Sequence, residues 1–307
     1  MSASSIAFII NRHAGNGSNH DWLEANRERI DAIANGGPVA WVENGDEIRA
    51  AVERALAQGC GAVVAGGGDG TLNAVASRLV DSPVAFGVLA LGTLNHFAHD
   101  AGIPLDLSEA LDAIAAGRTR QLDIGQVNER HFLNNASIGL YVDLVRDREK
   151  QQTRLGRGKW PAFVFALIGA FRRYPFLTVS LSVDGRHMVQ RTAFVFIGNN
   201  AYQTEGLQIG QREALDAGQL SVYVAHRAGR WRLIALGLRA LVGKLRQARD
   251  FKQLLASEIR VETGHRQLRV ATDGEVCRLD APLQFRIRPG ALRVIVAEEG
   301  AASPDKH

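Results

Sequence analysis

Two hydrophobic rhythms divide this chain near residue 125. In the first part, short uninterrupted apolar runs alternate with stretches of helical spacing. Ile6–Ile10 reads as a buried strand, and Trp22, Leu23, Asn26, Ile30 and Ile33 mark a helix. Val39–Val42 predicts a second strand, and Asp46 is placed to cap a helix carrying Ile48, Val52 and Leu56. Ala62–Ala65 predicts a third strand, followed by a helix that starts near Thr71 and carries Leu72, Val75, Ala76 and Leu79. Val84–Leu89 is the fourth strand, and Ser108 would cap a helix over Glu109–Ala116. Such alternation predicts a doubly wound α/β domain over residues 1–125, a parallel sheet with helices on both faces.

Beyond residue 125 the period falls to two. Val179, Leu181 and Val183 alternate with polar residues, and Asp184-Gly185 supplies a hairpin turn into a strand over Met188–Ile197. Further strands are predicted at Leu220–Ala225, Glu258–Val261, Leu268–Ala271, Leu283–Ile287 and Leu292–Ala297. A second, mainly antiparallel β domain over 126–298 follows, with 299–307 a small, polar, frayed tail.

Composition changes this picture in two ways. Only two cysteines occur, Cys60 and Cys277, with no disulfide or metal-type spacing, which favours a reducing compartment. No signal peptide is evident, and no run approaches the roughly 20 apolar residues needed to span a bilayer. A cytoplasmic protein is expected. The net charge of +4 hides a split: residues 1–125 carry 8 Lys/Arg against 15 Asp/Glu, and residues 126–307 carry 28 against 17. The basic half suits an anionic membrane surface; nucleic acid is disfavoured because no readout motif accompanies the charge.

The chemistry concentrates in Gly66-Gly67-Gly68-Asp69-Gly70-Thr71-Leu72-Asn73, where a strand passes through four glycines into a helix. Glycines admit close backbone approach, and a helix start offers unpaired N–H groups to an anion, so the loop predicts a nucleotide-phosphate site. Asp69 beside phosphates requires a cation or a proton transfer. No Walker A loop or complete Gly-x-Gly-x-x-Gly fingerprint occurs. Asn11 to Gly17 and Gly92-Thr93-Leu94-Asn95 leave neighbouring parallel strands and could share the same cleft. Thr272-Asp273-Gly274-Glu275 joins two late strands, although Asp-Gly alone is also a common hairpin turn.

In order and spacing these segments resemble the diacylglycerol kinase catalytic-domain family of lipid kinases, with its bacterial, sphingosine and ceramide kinase relatives. Gly66–Asn73 matches the family's glycine loop, and Asn11 to Gly17 resembles its Asn-Pro-x-Ser-Gly opening with Arg12 in place of proline. Gly92-Thr93-Leu94-Asn95 matches Gly-Thr-x-Asn, Asp123-Ile124-Gly125 and Asn134–Gly139 resemble the entry to the second domain, and Asp273-Gly274-Glu275 matches the late Asp-Gly-Glu. The resemblance implies ATP and Mg2+ as cofactors, a cleft between an α/β domain and a β-sandwich-like domain, and a lipid hydroxyl as acceptor. ATP would be held by Asn11, Gly15, Gly17, Gly66, Gly67, Gly68, Asp69, Gly70, Thr71, Leu72, Asn73, Gly92, Thr93 and Asn95. Glu275 would take the hydroxyl proton, with Asp273 and Asp69 ordering the reacting groups, and Asp69, Asp123 and Asp216 as metal candidates.

Three departures stand out. His96 replaces an aspartate of many bacterial members, Ala217 stands at the Asp-Gly metal position with Asp216 one residue early, and Trp41 falls near a nucleotide-contacting threonine. Membrane docking is expected from two basic, apolar segments, Arg146–Tyr174 and Arg227–Lys252, read as a leaflet-dipping or groove-lining run and a basic amphipathic helix; packing against the second domain is the competing reading for each. An NAD kinase-like enzyme or a non-catalytic nucleotide or membrane sensor are the alternative functions. A homodimer is compatible with the sequence.

Overall fold

The computed structural model describes residues 4–15, 17–139, 177–192, 194–202, 212, 214–225 and 251–298. Arg146–Tyr174, nearly all of Arg227–Lys252 and the tail after Glu299 lie outside the described residues. The chain divides into two units, residues 1–124 with 289–307, and residues 125–288.

In the first unit, β1 (Ile6–Asn11), α1 (Gly17–Ala25), α2 (Arg27–Ala34), β2 (Val39–Val42), α3 (Gly45–Ala57), β3 (Ala62–Gly67), α4 (Asp69–Leu79), β4 (Ala85–Ala90), α5 (His96–Asp100), α6 (Leu107–Ala116) and the start of β5 (Thr119–Val127) follow in order. The strands form a parallel sheet ordered β2-β1-β3-β4. All six residues of β3 and of β4 are buried, which is why these strands read as apolar runs without alternation. The glycine loop leaves the carboxyl end of β3, between β1 and β4.

Several local expectations are corrected. The single helix over Trp22–Ile33 is two helices, broken at Asn26, whose Nδ2 donates to the Trp22 carbonyl at 2.8 Å. The cap of α3 is Asn44, whose Oδ1 accepts from the Asp46 and Glu47 amides at 3.1 and 3.0 Å. The cap of α6 is Asp106, accepting from Ser108 and Glu109 at 2.9 and 3.0 Å. In both cases the residue chosen from sequence is a first-turn donor, because a capping side chain reaches two and three residues ahead.

The second unit is a sandwich of two antiparallel sheets. One holds the start of β16 (Leu283–Ile295) against β13 (Glu258–Thr263), β8 (Leu177–Val183) and β9 (Arg186–Thr192). The other is ordered β12-β11-β10-β7-β14-β15, with β7 (Asn135–Gly139), β10 (Phe194–Asn199), β11 (Leu220–Ala225), β12 (Phe251–Ala256), β14 (Gln267–Thr272) and β15 (Glu275–Asp280). The short β6 (Arg130–Phe132) pairs with β5. Apolar faces of both sheets meet in one core, including Leu181, Ile259 and Phe285 from one and Ile138, Ile197 and Val270 from the other. The Asp184-Gly185 turn has positive φ at both positions, 44° and 80°, as a two-residue hairpin requires.

The predicted strand Met188–Ile197 is two, because β9 and β10 belong to different sheets. Conversely, Leu283–Ile287 and Leu292–Ala297 are one strand, β16. Pro289-Gly290 reads as a break, but Gly290 turns through φ 59° and its amide donates to Asp123 at 2.9 Å, so pairing resumes. The last part of β16 runs parallel to β4, with Val294 opposite Phe86, and so returns to the first unit. Phe251 and Lys252, at the end of the segment expected as a basic amphipathic helix, open β12. Among the described residues, no helix is long and apolar enough to cross a membrane.

Candidate functional site

In the first unit, the glycine loop is built on contacts too close for side chains. A Cβ on Gly67 would stand 2.4 Å from Thr71 Cβ, and one on Gly92 would stand 2.7 Å from both Gly68 Cα and Asn95 Oδ1. Gly68 is the N-cap of α4 and has no side chain to offer, so Asp69, Gly70 and Thr71 start the helix without a side-chain cap. Their amides and the positive helix end form a cradle suited to phosphate. Asn11 Nδ2 donates to Thr71 Oγ1 at 2.9 Å, tying the end of β1 to the first turn of α4, while Asn11 Oδ1 accepts from the His13 amide at 2.9 Å. Asp69 Oδ1 receives the Phe97 amide at 3.4 Å, which links the cradle to α5.

Asn95, in the left-handed region at φ 49°, donates from Nδ2 to the Gly92 carbonyl at 2.8 Å. Its Oδ1 is buried with no partner among the described residues. An acceptor in that position fits a hydroxyl, an amine or a bound water better than a phosphate. Asn11, Gly67, Gly68, Asp69, Thr71, Gly92 and Asn95 are thus linked by hydrogen bonds or close approach, and together they fit a nucleotide.

Other expected ligands are placed differently. Leu72 is corrected from nucleotide contact to core: its side chain is fully buried and its amide bonds the Gly68 carbonyl at 3.0 Å. Asn73 Oδ1 accepts from Ser77 Oγ at 3.2 Å, one turn along α4. Gly66 is buried in β3 against Ile10, Gly15 is an exposed turn residue at φ 88°, Gly17 opens α1, and Thr93 is exposed. His96 is exposed at the start of α5.

Arg12, in place of the family's proline, and Trp41 form one arrangement. Arg12 lies over the Trp41 ring, 5.8 Å from its centroid, and His20 stacks on Trp41 at 6.3 Å. The arginine that replaces the family's proline and the tryptophan near its threonine therefore support each other, a cation–π contact between the ends of β1 and β2.

Among the described residues, no three His, Cys, Asp or Glu side chains come together in a group able to hold a metal ion. Asp123 is buried and accepts the Gly290 amide, a contact that secures the turn in β16. Asp216 is exposed in the segment before β11.

The cradle also yields a stability expectation. Gly67→Ala should cost about 1–3 kcal/mol, the typical penalty for overpacking, because Thr71 must move. It should also weaken nucleotide binding by breaking the Asn11–Thr71 bond. Gly45→Ala is the control: Gly45 lies in the first turn of α3 with nothing within 4 Å of an added Cβ, so it should leave nucleotide binding unchanged and stability equal or slightly higher. Urea titration and ATP titration calorimetry on both variants measure this.

In the second unit, Asp273 and Gly274 form the turn between β14 and β15, with φ 48° and 88° and Thr272 paired to Glu275. The Asp273 carboxylate turns inward. Oδ2 accepts from the Leu133 amide at 2.7 Å, and Oδ1 from Asn134 and Asn135 at 2.8 and 3.0 Å. In return the Asp273 amide donates to the Asn135 carbonyl at 2.9 Å. Burial pushes this carboxyl up to about 6, against the three amides and the Arg212 guanidinium, which pull it down. Both oxygens of the Asp273 carboxylate are thus occupied by backbone amides of the second unit. Glu275 is exposed and has no hydrogen-bond partner among the described residues.

Sequence reasoning missed the polar cluster behind this turn. Arg212 is buried and donates from Nη1 to the Leu133 carbonyl at 2.6 Å and from Nη2 to Asn134 Oδ1 at 2.8 Å. Asn199 Nδ2 also reaches the Leu133 carbonyl, at 2.9 Å, and Tyr202 Oη donates to the Asn134 carbonyl at 3.0 Å. The Asn199-Asn200 pair ending an apolar strand was the available signal, since buried amides demand partners. Arg212 carried none.

Comparison with known proteins places this geometry. Residues 5–127 match the model of the diacylglycerol kinase catalytic domain, and residues 136–296 match that of the YegS C-terminal NAD kinase beta sandwich-like domain. A Pseudomonas fluorescens protein named Probable lipid kinase YegS-like is 30% identical over 259 residues, covering 84% of each chain. The diacylglycerol kinase of Bacillus subtilis is 28% identical over 236 residues, 75% of this chain and 76% of that one. A crystal structure of a diacylglycerol kinase from Bacillus anthracis superposes with a TM-score of 0.68 at 18% identity, over 97% and 99% of the two chains, a likeness of fold. With its glycine cradle, its Asp-Gly-Glu turn and a matching model over each unit, the chain belongs to the diacylglycerol kinase catalytic-domain family of lipid kinases, a family of phosphotransferases.

Proposed function

We propose that this protein transfers the γ-phosphate of ATP to the hydroxyl of a lipid of the diacylglycerol, phosphatidylglycerol or sphingoid type at an anionic membrane surface. The observation that carries this reading is the uncapped start of α4, held by Asn11 through Thr71 and flanked by Asp69 and Asn95. In this reading the α4 amides bind the nucleotide phosphates and Asn95 Oδ1 takes a hydroxyl, amine or water at the site. Asp69 supplies one carboxylate toward magnesium that arrives with ATP, in keeping with an ion that keeps its waters and is held largely by substrate phosphates. A magnesium ion held there would supply positive charge to the transferring phosphoryl group. Glu275, exposed at the start of β15, accepts the proton of the attacking hydroxyl.

The basic composition of residues 126–307 supports an anionic membrane as the place of action. The test is γ-labelled ATP with a panel of lipids in anionic vesicles. Wild type should label a lipid, and Asp69→Ala and Glu275→Ala should each lose nearly all labelling. Equal labelling by wild type and both variants would refute the site, and NADP formation without lipid labelling would make it an NAD kinase.

A further inference from the structure

The Leu133–Asn134 peptide group lies between opposite charges, its N–H donating to Asp273 and its C=O accepting from Arg212. On the amide side, the N–H groups of Leu133, Asn134 and Asn135 converge on the Asp273 carboxylate, at 2.7, 2.8 and 3.0 Å. On the other side lies Arg212, which grips the Leu133 carbonyl at 2.6 Å and the Asn134 side-chain oxygen at 2.8 Å, and reaches the Asn199 carbonyl at 3.4 Å. An anion at the N–H end and a cation at the C=O end of the Leu133–Asn134 peptide both favour the same orientation of its dipole. Arg212 is also fixed: it is 6% exposed and lies over the Tyr202 ring, 5.8 Å from its centroid. A planar guanidinium suits this place because it satisfies several oxygens in one fork.

We infer that Arg212 is a positioning residue for phosphoryl transfer: with Asp273 it clamps the Leu133–Asn135 segment, and the clamp fixes the Asp273-Gly274 turn that presents Glu275. The assignment rests on the reading of Glu275 as the base. Arg212 is a built-in cation for the second unit. It stands five residues before Ala217 in the chain, where the resemblance leads one to expect a metal-binding aspartate. Among the described residues, the charged group acting on Asp273 is Arg212, and its other partners are the three neutral amides.

The experiment uses the full chain with Arg212→Met, Asp273→Asn and the double variant. Arg212→Met should lower kcat about 10- to 100-fold, the range seen when outer hydrogen-bond partners of a site are removed. KM for ATP should stay within a fewfold of wild type, because the oxygens that Arg212 grips belong to the second unit and the α4 cradle to the first. The double variant should lose less than the product of the two single losses, as residues acting through one segment are not additive. Carbon-13 NMR of labelled aspartate gives a readout free of activity: the Asp273 midpoint should rise in Arg212→Met, which removes the charge that pulls it down. A folded Arg212→Met with wild-type kcat, or with the Asp273 midpoint unmoved, overturns the inference, as do fully multiplicative losses. Should Arg212→Met not fold, Asn134→Ala, which removes one acceptor of the clamp and keeps its amide, is read by its loss of kcat and by its non-additivity with Asp273→Asn, and wild-type kcat or fully multiplicative losses overturn the inference. If wild type labels no lipid, the kinase reading fails while the NMR midpoint still tests the clamp.

Discussion

Glu275→Gln should leave a folded protein whose turnover is lower by about 10²–10⁴-fold, the usual contribution of a positioned general base. The side chain is exposed at the first position of β15, has no hydrogen-bond partner among the described residues and faces Thr272 across the turn. Glutamine keeps its size and removes only its capacity to accept a proton. Stability should therefore change by no more than about 0.5 kcal/mol, as for other surface substitutions. ATP affinity should not change, since the α4 cradle is untouched. Steady-state kinetics with a lipid substrate, alongside a urea titration, separate the cases. Turnover within a fewfold of wild type would remove Glu275 from the reaction. A matching loss of stability would assign it to the fold instead.

What could be read from sequence follows from the range of the forces involved. The parallel sheet of the first unit was legible because buried strands such as β3 and β4 must be apolar throughout. The glycine loop was legible because its geometry is local: a strand end, close approaches at Gly67 and an uncapped helix start all lie within a few residues. The return of β16 to the first unit was not, since Pro289-Gly290 is a break by local rules and only Asp123, far away in sequence, receives the Gly290 amide. Likewise Asp273-Gly274 was readable as a turn, but its carboxylate's partners lie about 140 residues earlier in the chain, on Leu133, Asn134 and Asn135. Leu72 was misassigned for the opposite reason. Its place in the motif outweighed its helical spacing with Val75, Ala76 and Leu79, which put it in the core. Arg12 and Trp41, two separate oddities in sequence, become one contact only when β1 and β2 are paired.

Replacing Asp273 should cost stability and turnover together, with a pH dependence whose sign tests what controls this carboxyl. In Asp273→Asn the amide oxygen can still accept from Asn134 and Asn135, but the Nδ2 group then faces the Leu133 N–H, donor against donor. A buried donor left unpaired costs about 1–3 kcal/mol. The turn carrying Glu275 loses one of its three anchors, so turnover falls even at temperatures where the variant is folded. The pH dependence follows from burial, which raises the carboxyl from 3.8 to about 6 in the folded protein. A group raised on folding contributes its full stabilisation below the unfolded value, near pH 4, and loses it as pH rises through about 6. The shift corresponds to about 3 kcal/mol at most, at 1.36 kcal/mol per unit. Asparagine does not titrate, so the stability gap between wild type and Asp273→Asn should be widest near pH 4 and narrow toward pH 7.5. Urea titrations of both proteins at pH 4.5, 6 and 7.5, at about 25 °C, measure this directly. A gap that widens with pH would mean that the three amides and Arg212 outweigh burial and hold the Asp273 carboxyl below its ordinary value, as a bound anion.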